Sequence, residues 1–200
     1  GYGRYLAAER ELADAVISEI KAYGLGAHHL FPDVGTVLDI GGQDSKVIRV
    51  GPEGKVLRFE MNDRCAAGTG RFLENMALAL EMPVEEIGPH AWAAEGQAVR
   101  ISSMCTVFAE SEVISLIAQN RPREQIIRGL HRAVVSRVWG MAQSVGIEGA
   151  VTMSGGVAKN RGIVALFEEN LGHSIHIHSE PQIIGALGAA LLARGEIHQK

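Results

Sequence analysis

Apolar residues recur at helical spacing along much of the chain. Near the N-terminus, Leu12, Val16 and Ile20 fall on one face, which predicts a helix from about Glu9 to Ala22. The glycine- and histidine-containing segment 24–35 that follows is predicted to be a connector. Further helices are predicted over 71–80, within 83–98, and over Thr106–Gln119, 126–146, 161–172 and 182–195.

Short apolar runs bounded by turn residues predict strands. TVLDIGG, SKVIRV and KVLRFEM follow one another across short turns, so the range 36–61 predicts an antiparallel three-stranded meander. Additional strands are predicted over 99–103, 149–154 and 174–179. A meander followed by alternating helices and strands predicts an α/β fold.

Two pairs of glycines follow predicted strands. Asp39 comes at the end of the first strand and Gly41–Gly42 directly after it; Gly155–Gly156 lies in MSGGVAKN between a strand and a helix. Such pairs let backbone N–H groups approach a phosphate. The alternatives are a hairpin turn with a polar tip and an ordinary strand-to-helix turn, and the sequence pattern alone leaves them open.

The chain has two cysteines, Cys65 and Cys105, each predicted at the start of a helix. The positive end of a helix dipole favours the thiolate, and a [4Fe-4S] cluster usually takes four thiolates. One chain supplies two, so two copies together would complete one cluster. The alternative is a pair of buried, structural cysteines.

Composition excludes several other classes of protein. The 200 residues carry a net charge of -4, which gives no basic face for nucleic acid. No apolar run approaches the length of a membrane span, and GYGRYLAAER lacks the apolar core of a signal peptide. We therefore expect a cytoplasmic protein that binds neither nucleic acid nor membrane.

The remaining polar and aromatic candidates are weaker. Glu110 follows Cys105 on its predicted helix, where a solvated or capping role is favoured over a metal ligand. Trp92 and Trp139 are expected to pack in the core. The eight histidines show no metal-ligand spacing and are assigned no role.

Two sets of motifs carry a family resemblance. The segment from Asp39 to Gln43 and the later Ser-Gly-Gly at 154–156 are similar to the second half of the actin-like (ribonuclease H-like) ATPase fold. MNDRCAAGTGRFLE and ISSMCTVFAESEVIS resemble the segments that ligate the cluster in activators of 2-hydroxyacyl-CoA dehydratases. That family is related to the ATP-binding subunits of benzoyl-CoA reductase, and the resemblance spans nearly the whole chain.

The resemblance implies a set of site residues. Asp39 and Gln43 would be catalytic, and Cys65 and Cys105 would hold the cluster. The nucleotide would be bound by Gly41, Gly42, Gln43, Gly155, Gly156 and Asn160.

The resemblance also implies an activity. The family consists of homodimers in which one [4Fe-4S] cluster is shared between the two subunits. Members of the family convert ATP to ADP in the presence of Mg²⁺. They pass an electron from ferredoxin or flavodoxin to a partner dehydratase, in an anaerobic setting. A benzoyl-CoA reductase-type subunit, a sugar-kinase-like phosphotransferase with structural cysteines, and a non-enzymatic iron–sulfur dimerisation module are the alternatives.

The resemblance finally implies a division of the chain. Residues 1–36 would be a remnant of the first lobe with a hinge helix over about 12–28, residues 37–180 an essentially complete second lobe, and residues 181–200 a C-terminal hinge helix over about 185–194. The family's first phosphate motif, an N-terminal hairpin, is not found in the sequence. Whether this chain hydrolyses ATP is therefore left open.

Overall fold

The computed structural model describes residues 5–6, 9–10, 12, 15–93, 96–102 and 105–195. These residues form an α/β structure around one four-stranded sheet. The strands are β1 (Val34–Ile40), β2 (Ser45–Val50), β3 (Val56–Asn62) and β4 (Ala150–Ser154). The helices are α1 (Glu19–Leu30), α2 (Gly70–Ala79), α3 (Ile87–Ala93), α4 (Thr106–Ala118), α5 (Arg123–Val145), α6 (Arg161–Leu171) and α7 (Ile184–Ala193), with short 3-10 helices at Pro52–Gly54 and Gly156–Lys159.

The sheet is mixed, with strand order β3-β2-β1-β4. β1 and β2 are antiparallel, as are β2 and β3, which confirms the predicted meander. β4 lies parallel to β1 on its other side, and Asp39 pairs with Ser154 at the carboxyl ends of the two strands. All seven residues of β1 are buried, because helices cover both faces of the sheet at this strand.

Alternating residues of the sheet contribute to two separate cores. Leu38 and Val47 face the larger core, which they form with α2 to α6. Val37 and Ile48 face the opposite way, towards a smaller core with α1 and α7. The helix α5 supplies eleven buried residues, so it is the main support of the sheet on the larger side.

The helices α1 and α7 cross with their backbones in contact. A Cβ atom added at Gly26 would overlap the carbonyl oxygen of Ile184, and one added at Gly188 would overlap that of Ala22. Only glycine fits at these two positions at the observed spacing. Small residues thus let these two helices approach closely.

The helix α1 lies further along the chain than the predicted Glu9–Ala22, of which residues 11, 13 and 14 lie outside the described residues. It begins at Glu19, where Ser18 Oγ accepts a hydrogen bond of 3.2 Å from Lys21 N–H, and it continues through the segment 24–30 that was predicted to be a connector. The prediction was wrong because glycines were taken as helix breakers. Here Gly26 is retained in the helix because tertiary packing against α7 requires it.

Two predicted strands are also absent among the described residues. Residues 99–102 are irregular, and segment 174–179 contributes only an isolated bridge between Thr152 and His176. Among the described residues, no helix is long and apolar enough to cross a membrane.

The crossing of α1 and α7 generates a prediction with an internal control. Gly188→Ala should lower the free energy of unfolding by about 1–3 kcal/mol, because the methyl group forces two backbones apart. Gly140 is also helical, but nothing lies within 4 Å of a Cβ added there. Gly140→Ala should therefore stabilise the protein by about 0.5–1 kcal/mol. Urea unfolding of both variants measures this; equal effects would contradict the packing argument.

Candidate functional site

Both glycine pairs open into one cavity at the carboxyl ends of β1 and β4. The cavity has a volume of about 550 Å³, and its lining includes Gly41, Gly42, Gly155, Gly156 and Asn160. The register of the two parallel strands brings these residues together, since both turns leave the same edge of the sheet. The structure thus places five of the six predicted nucleotide-binding residues in one lining. Gln43, the sixth, is exposed in the β1–β2 turn and is not among the lining residues.

The turn at Gly155 requires glycine. Its φ is 84°, and a Cβ atom there would overlap the carbonyl oxygen of Ile40 at the end of β1. Its N–H donates to the carbonyl of Pro181 at 3.1 Å, which anchors the turn from the other side. The second glycine pair is therefore held against the end of β1, directly beside Gly41, and both pairs line the cavity.

The N-terminus of α2 fixes the first glycine pair. Gly70 N–H donates to the carbonyl of Gly41 and Arg71 N–H donates to that of Gly42, both at 2.8 Å. These two N–H groups have no partner within their own helix, so the turn satisfies them. The position of Gly41–Gly42 is consequently coupled to the position of α2.

A buried ion network lies beneath this turn. The ammonium group of Lys46 lies 3.2 Å from Asp39 Oδ2, 2.8 Å from Asp44 Oδ1 and 3.1 Å from Glu19 Oε1. Ser154 Oγ donates to Asp39 Oδ1 at 2.7 Å. Both oxygens of Asp39, the predicted catalytic carboxylate, are thus bonded within the protein.

Burial and charge act against each other in this network. Burial raises the pKa of the Asp39 carboxyl, and Lys46 and Ser154 offset only part of that rise. Burial alone would lower the pKa of Lys46, but Asp39, Asp44 and Glu19 together raise it above its usual value, so Lys46 remains charged. Burial, followed by the charge of Asp39, also raises the pKa of Tyr23, whose ring centroid lies 5.5 Å from the Lys46 ammonium group.

Asn160 lines the cavity between the 3-10 helix Gly156–Lys159 and α6, of which it is the N-cap. Its side-chain oxygen accepts a hydrogen bond of 3.1 Å from Ile163 N–H, which caps the helix. His131 of α5, fully buried, lies with Nε2 3.1 Å from the same oxygen. Sequence reasoning assigned no role to His131; its place on the otherwise apolar buried face of α5 was the available signal.

Both cysteines are exposed, free thiols, so the alternative of buried structural cysteines is wrong. Cys105 directly precedes α4, as predicted. Cys65 does not begin a helix, because α2 starts five residues later at Gly70. It lies instead in a loop held by Asn62, whose Nδ2 donates to the carbonyls of Cys65 and Ala67 at 2.8 Å.

The two cysteines precede helices that contact each other, since α2 packs against α4. In the described part of the chain, no three histidine, cysteine or acidic residues form a group that could hold a metal ion.

The helix α4 exposes an apolar face directly after Cys105. Val107 is 68% exposed, Phe108 66% and Ile114 54%, while only Ala109 and Val113 are buried. Glu110 is exposed on the same helix, in keeping with a solvated role.

The two tryptophans differ. Trp139 is partly buried against the larger core, as expected, whereas Trp92 is 71% exposed and its predicted place in the core is wrong.

Comparison with known proteins identifies the family. The family described as the BadF/BadG/BcrA/BcrD ATPase family matches residues 1–193. The chain belongs to this family. It is 49% identical over 193 residues to the (R)-2-hydroxyglutaryl-CoA dehydratase activating ATPase of Acidaminococcus fermentans, covering 96% of this chain and 73% of that protein.

Solved structures show the same fold. The crystal structure of component A of the A. fermentans (R)-2-hydroxyglutaryl-CoA dehydratase matches with a TM-score of 0.91 and 48% identity, covering 98% of this chain and 74% of that one. The activator of the 2-hydroxyisocaproyl-CoA dehydratase from Clostridium difficile, solved with bound ADPNP, matches with a TM-score of 0.88 and 42% identity, covering 100% and 76%. The predicted α/β, actin-like ATPase fold is confirmed.

The ion network generates a prediction at the site. Lys46→Met should lower the free energy of unfolding by about 3–5 kcal/mol at neutral pH, because it leaves the buried Asp39 without its cation. The loss should shrink as the pH falls, since a carboxyl group whose pKa is raised on folding takes up its proton more readily in the folded state. Urea unfolding at several pH values measures both effects.

A second lysine provides the control. Lys159 forms an ion pair of 3.2 Å with Glu180, and both side chains are exposed. Lys159→Met should change the free energy of unfolding by less than about 1 kcal/mol. Equal losses in the two variants would contradict a special role for the buried network.

Proposed function

We propose that this protein is an ATP-dependent activator that transfers electrons to a partner 2-hydroxyacyl-CoA dehydratase through a [4Fe-4S] cluster shared by two copies of the chain. The observation that carries the proposal is the place of α2. Its first N–H groups bond to the Gly41–Gly42 turn at the cavity, and Cys65 lies five residues before its first turn. One helix therefore joins the nucleotide cavity to a predicted cluster ligand.

The cavity suits a nucleotide. The backbone at Gly42 and Gly156 borders open space, which the phosphates of ATP require. Asn160 lies with Val84 and Pro89 in the part of the lining where the nucleoside would bind. Mg²⁺ enters with the phosphates as part of the substrate. Asp39, whose oxygens are held by Ser154 and Lys46, supports the turn from below. Gln43, exposed at the same turn, is the candidate for orienting the attacking water.

The thiols suit a shared cluster. Cys65 and Cys105 are exposed, soft ligands on neighbouring helices, and each chain provides two of the usual four. Bound there, the cluster supplies one-electron transfer. A displacement of the Gly41–Gly42 turn on nucleotide binding would move α2 and the Cys65 loop against α4 and Cys105.

The apolar face of α4 supports the homodimer. Val107, Phe108 and Ile114 would be covered by a second copy of the chain, which also brings the other two thiolates to Cys65 and Cys105. Exposed as they are in one copy, the thiols lie where a dehydratase and an electron donor such as ferredoxin or flavodoxin would have access. Such a cluster fits an anaerobic cytoplasm. Residues 37–180 would form the lobe that holds both the nucleotide site and the cluster ligands.

The cluster assignment predicts the iron content. Protein purified without air should contain about two iron and two acid-labile sulfide per chain and have the native mass of a dimer. Cys65→Ser or Cys105→Ser should each lose most of the iron, the brown colour and the dimer, because the substitution leaves one thiolate per chain and only two of the four that the cluster needs.

Glu110→Gln is the matched control for the cluster. This side chain is exposed on α4 near Cys105 but carries no thiol, so the variant should keep its iron. The assignment would be contradicted by wild-type protein that contains no iron after purification without exposure to air. Full iron content in both serine variants would contradict it as well.

The nucleotide assignment predicts a loss of binding without a loss of stability. A Cβ atom at Gly42 meets nothing within 4 Å and Gly42 lines the cavity, so Gly42→Val places a branched side chain where the phosphates would lie. Calorimetry should show Mg-ADP binding at least about tenfold weaker. Gly140→Ala, a substitution into open space away from the cavity, should bind as the wild type does. Unchanged affinity in Gly42→Val would contradict the proposed phosphate site.

A further inference from the structure

A fully buried histidine lies directly behind the nucleotide cavity. His131 Nε2 is 3.1 Å from Asn160 Oδ1, and Nδ1 is 2.8 Å from the carbonyl oxygen of Ile127, one turn earlier in α5. The imidazole thus lies between a carbonyl group of its own helix and a residue that lines the cavity. Both neighbouring atoms are oxygens, and a neutral ring can donate a hydrogen bond to only one of them.

The second contact fixes which way the Asn160 amide faces. Its Oδ1 accepts from Ile163 N–H at 3.1 Å as the cap of α6, so the oxygen cannot exchange places with the nitrogen without losing the cap. With Oδ1 facing both Ile163 and His131, the Nδ2 group is the end of the amide left for a ligand. Asn160 therefore offers the cavity a hydrogen-bond donor.

Two glycines let neighbouring helices close over the pair. A Cβ atom at Gly88 of α3 would lie 2.8 Å from Asn160 Oδ1, and one at Gly162 of α6 would lie 3.0 Å from His131 Cδ2. Any larger residue at either place would displace the side chain it touches. The contact between His131 and Asn160 is consequently shielded from water, which strengthens it.

The contact with Asn160 also sets the position of the ring proton. Both ring nitrogens face oxygen acceptors, and a neutral imidazole carries a single N–H. Burial lowers the pKa of His131, against the opposing effect of the two oxygens. For the ring to hold Asn160 in place, Nε2 must be the protonated nitrogen.

We propose that His131 is a positioning residue for nucleotide binding: through Nε2–H it holds Asn160 so that Nδ2 donates to an acceptor atom on the nucleoside of bound ATP or ADP. This inference rests on the proposed nucleotide site. The nucleoside is the moiety concerned because Asn160 contacts Gly88 of α3 and follows the glycine turn suited to the phosphates by one turn of 3-10 helix.

A pair of substitutions tests the donor. His131→Leu removes it, and we expect the Kd for Mg-ADP, measured by calorimetry on the whole chain, to rise about tenfold. His131→Gln keeps an N–H group at nearly the same reach and should stay within about threefold of the wild type. Val134→Ala, buried on the same helix, controls for loosened packing and should leave the Kd unchanged.

A double-substitution cycle separates positioning from general damage. If His131 acts through Asn160, His131→Leu should add no further loss of affinity in an Asn160→Ala background. Losses that multiply would overturn the proposal, as would a wild-type Kd in His131→Leu. A wild-type protein that does not bind Mg-ADP would overturn the proposed function as well, so the two failures are distinguishable.

A measurement on the wild type avoids dependence on the folding of any variant. Nitrogen-15 NMR of the His131 ring should show Nε2 protonated, and the Asn160 side-chain NH₂ signal should shift on addition of Mg-ADP. An unprotonated Nε2, or an Asn160 signal that does not respond to saturating Mg-ADP, would overturn the proposal.

Discussion

The parallel pairing of β1 with β4 is the constraint on which the candidate site depends. These strands are separated by more than 100 residues of chain, yet their register places Asp39 beside Ser154 and joins them by a hydrogen bond of 2.7 Å. Each strand is followed by a glycine turn, so the register of the pair also sets the distance between the turns. A slip of one residue would turn Asp39 to the other face and separate the two halves of the cavity.

The helices α2 and α4 then connect this edge of the sheet to the two cysteines. α2 is bonded to the Gly41–Gly42 turn through its N-terminus and packs against α4 along its side. The cysteines precede these same two helices. A helix is stiff compared with a loop, so in the proposed mechanism a movement at the turn would be transmitted to the cysteine loops rather than absorbed between them. The proposed coupling of nucleotide and electron transfer needs no more than this one rigid connection.

The sequence was a good guide where local pattern and tertiary structure agree. The meander and the two glycine turns were predictable because short β-rich runs ended in residues that demand turns, as at Gly41–Gly42. The position of α1 was not predictable from the sequence. Gly26 is favourable in this helix only because it contacts α7, and no local pattern reveals that contact. Cys65 was placed on a helix because glycines and alanines before Gly70 do not mark where the helix begins. The link between His131 and Asn160 joins residues 29 positions apart and depends on the packing of three helices.

The ion network under the cavity joins the same elements by charge. Lys46 receives carboxylates from α1, from the end of β1 and from the β1–β2 turn. Lys46 and Asp39 are both fully buried, so each of these two charges needs the other, whereas Glu19 and Asp44 are partly exposed. The helix α1 is thereby tied to the strand and turn that line the proposed nucleotide cavity. Because α1 also contacts α7 through backbone, a change at the turn that alters the Asp39–Lys46 contact acts on both helices at once. The larger core packs apolar side chains of α2 to α6 against the opposite face of the sheet, so the ion network acts on the side formed by α1 and α7.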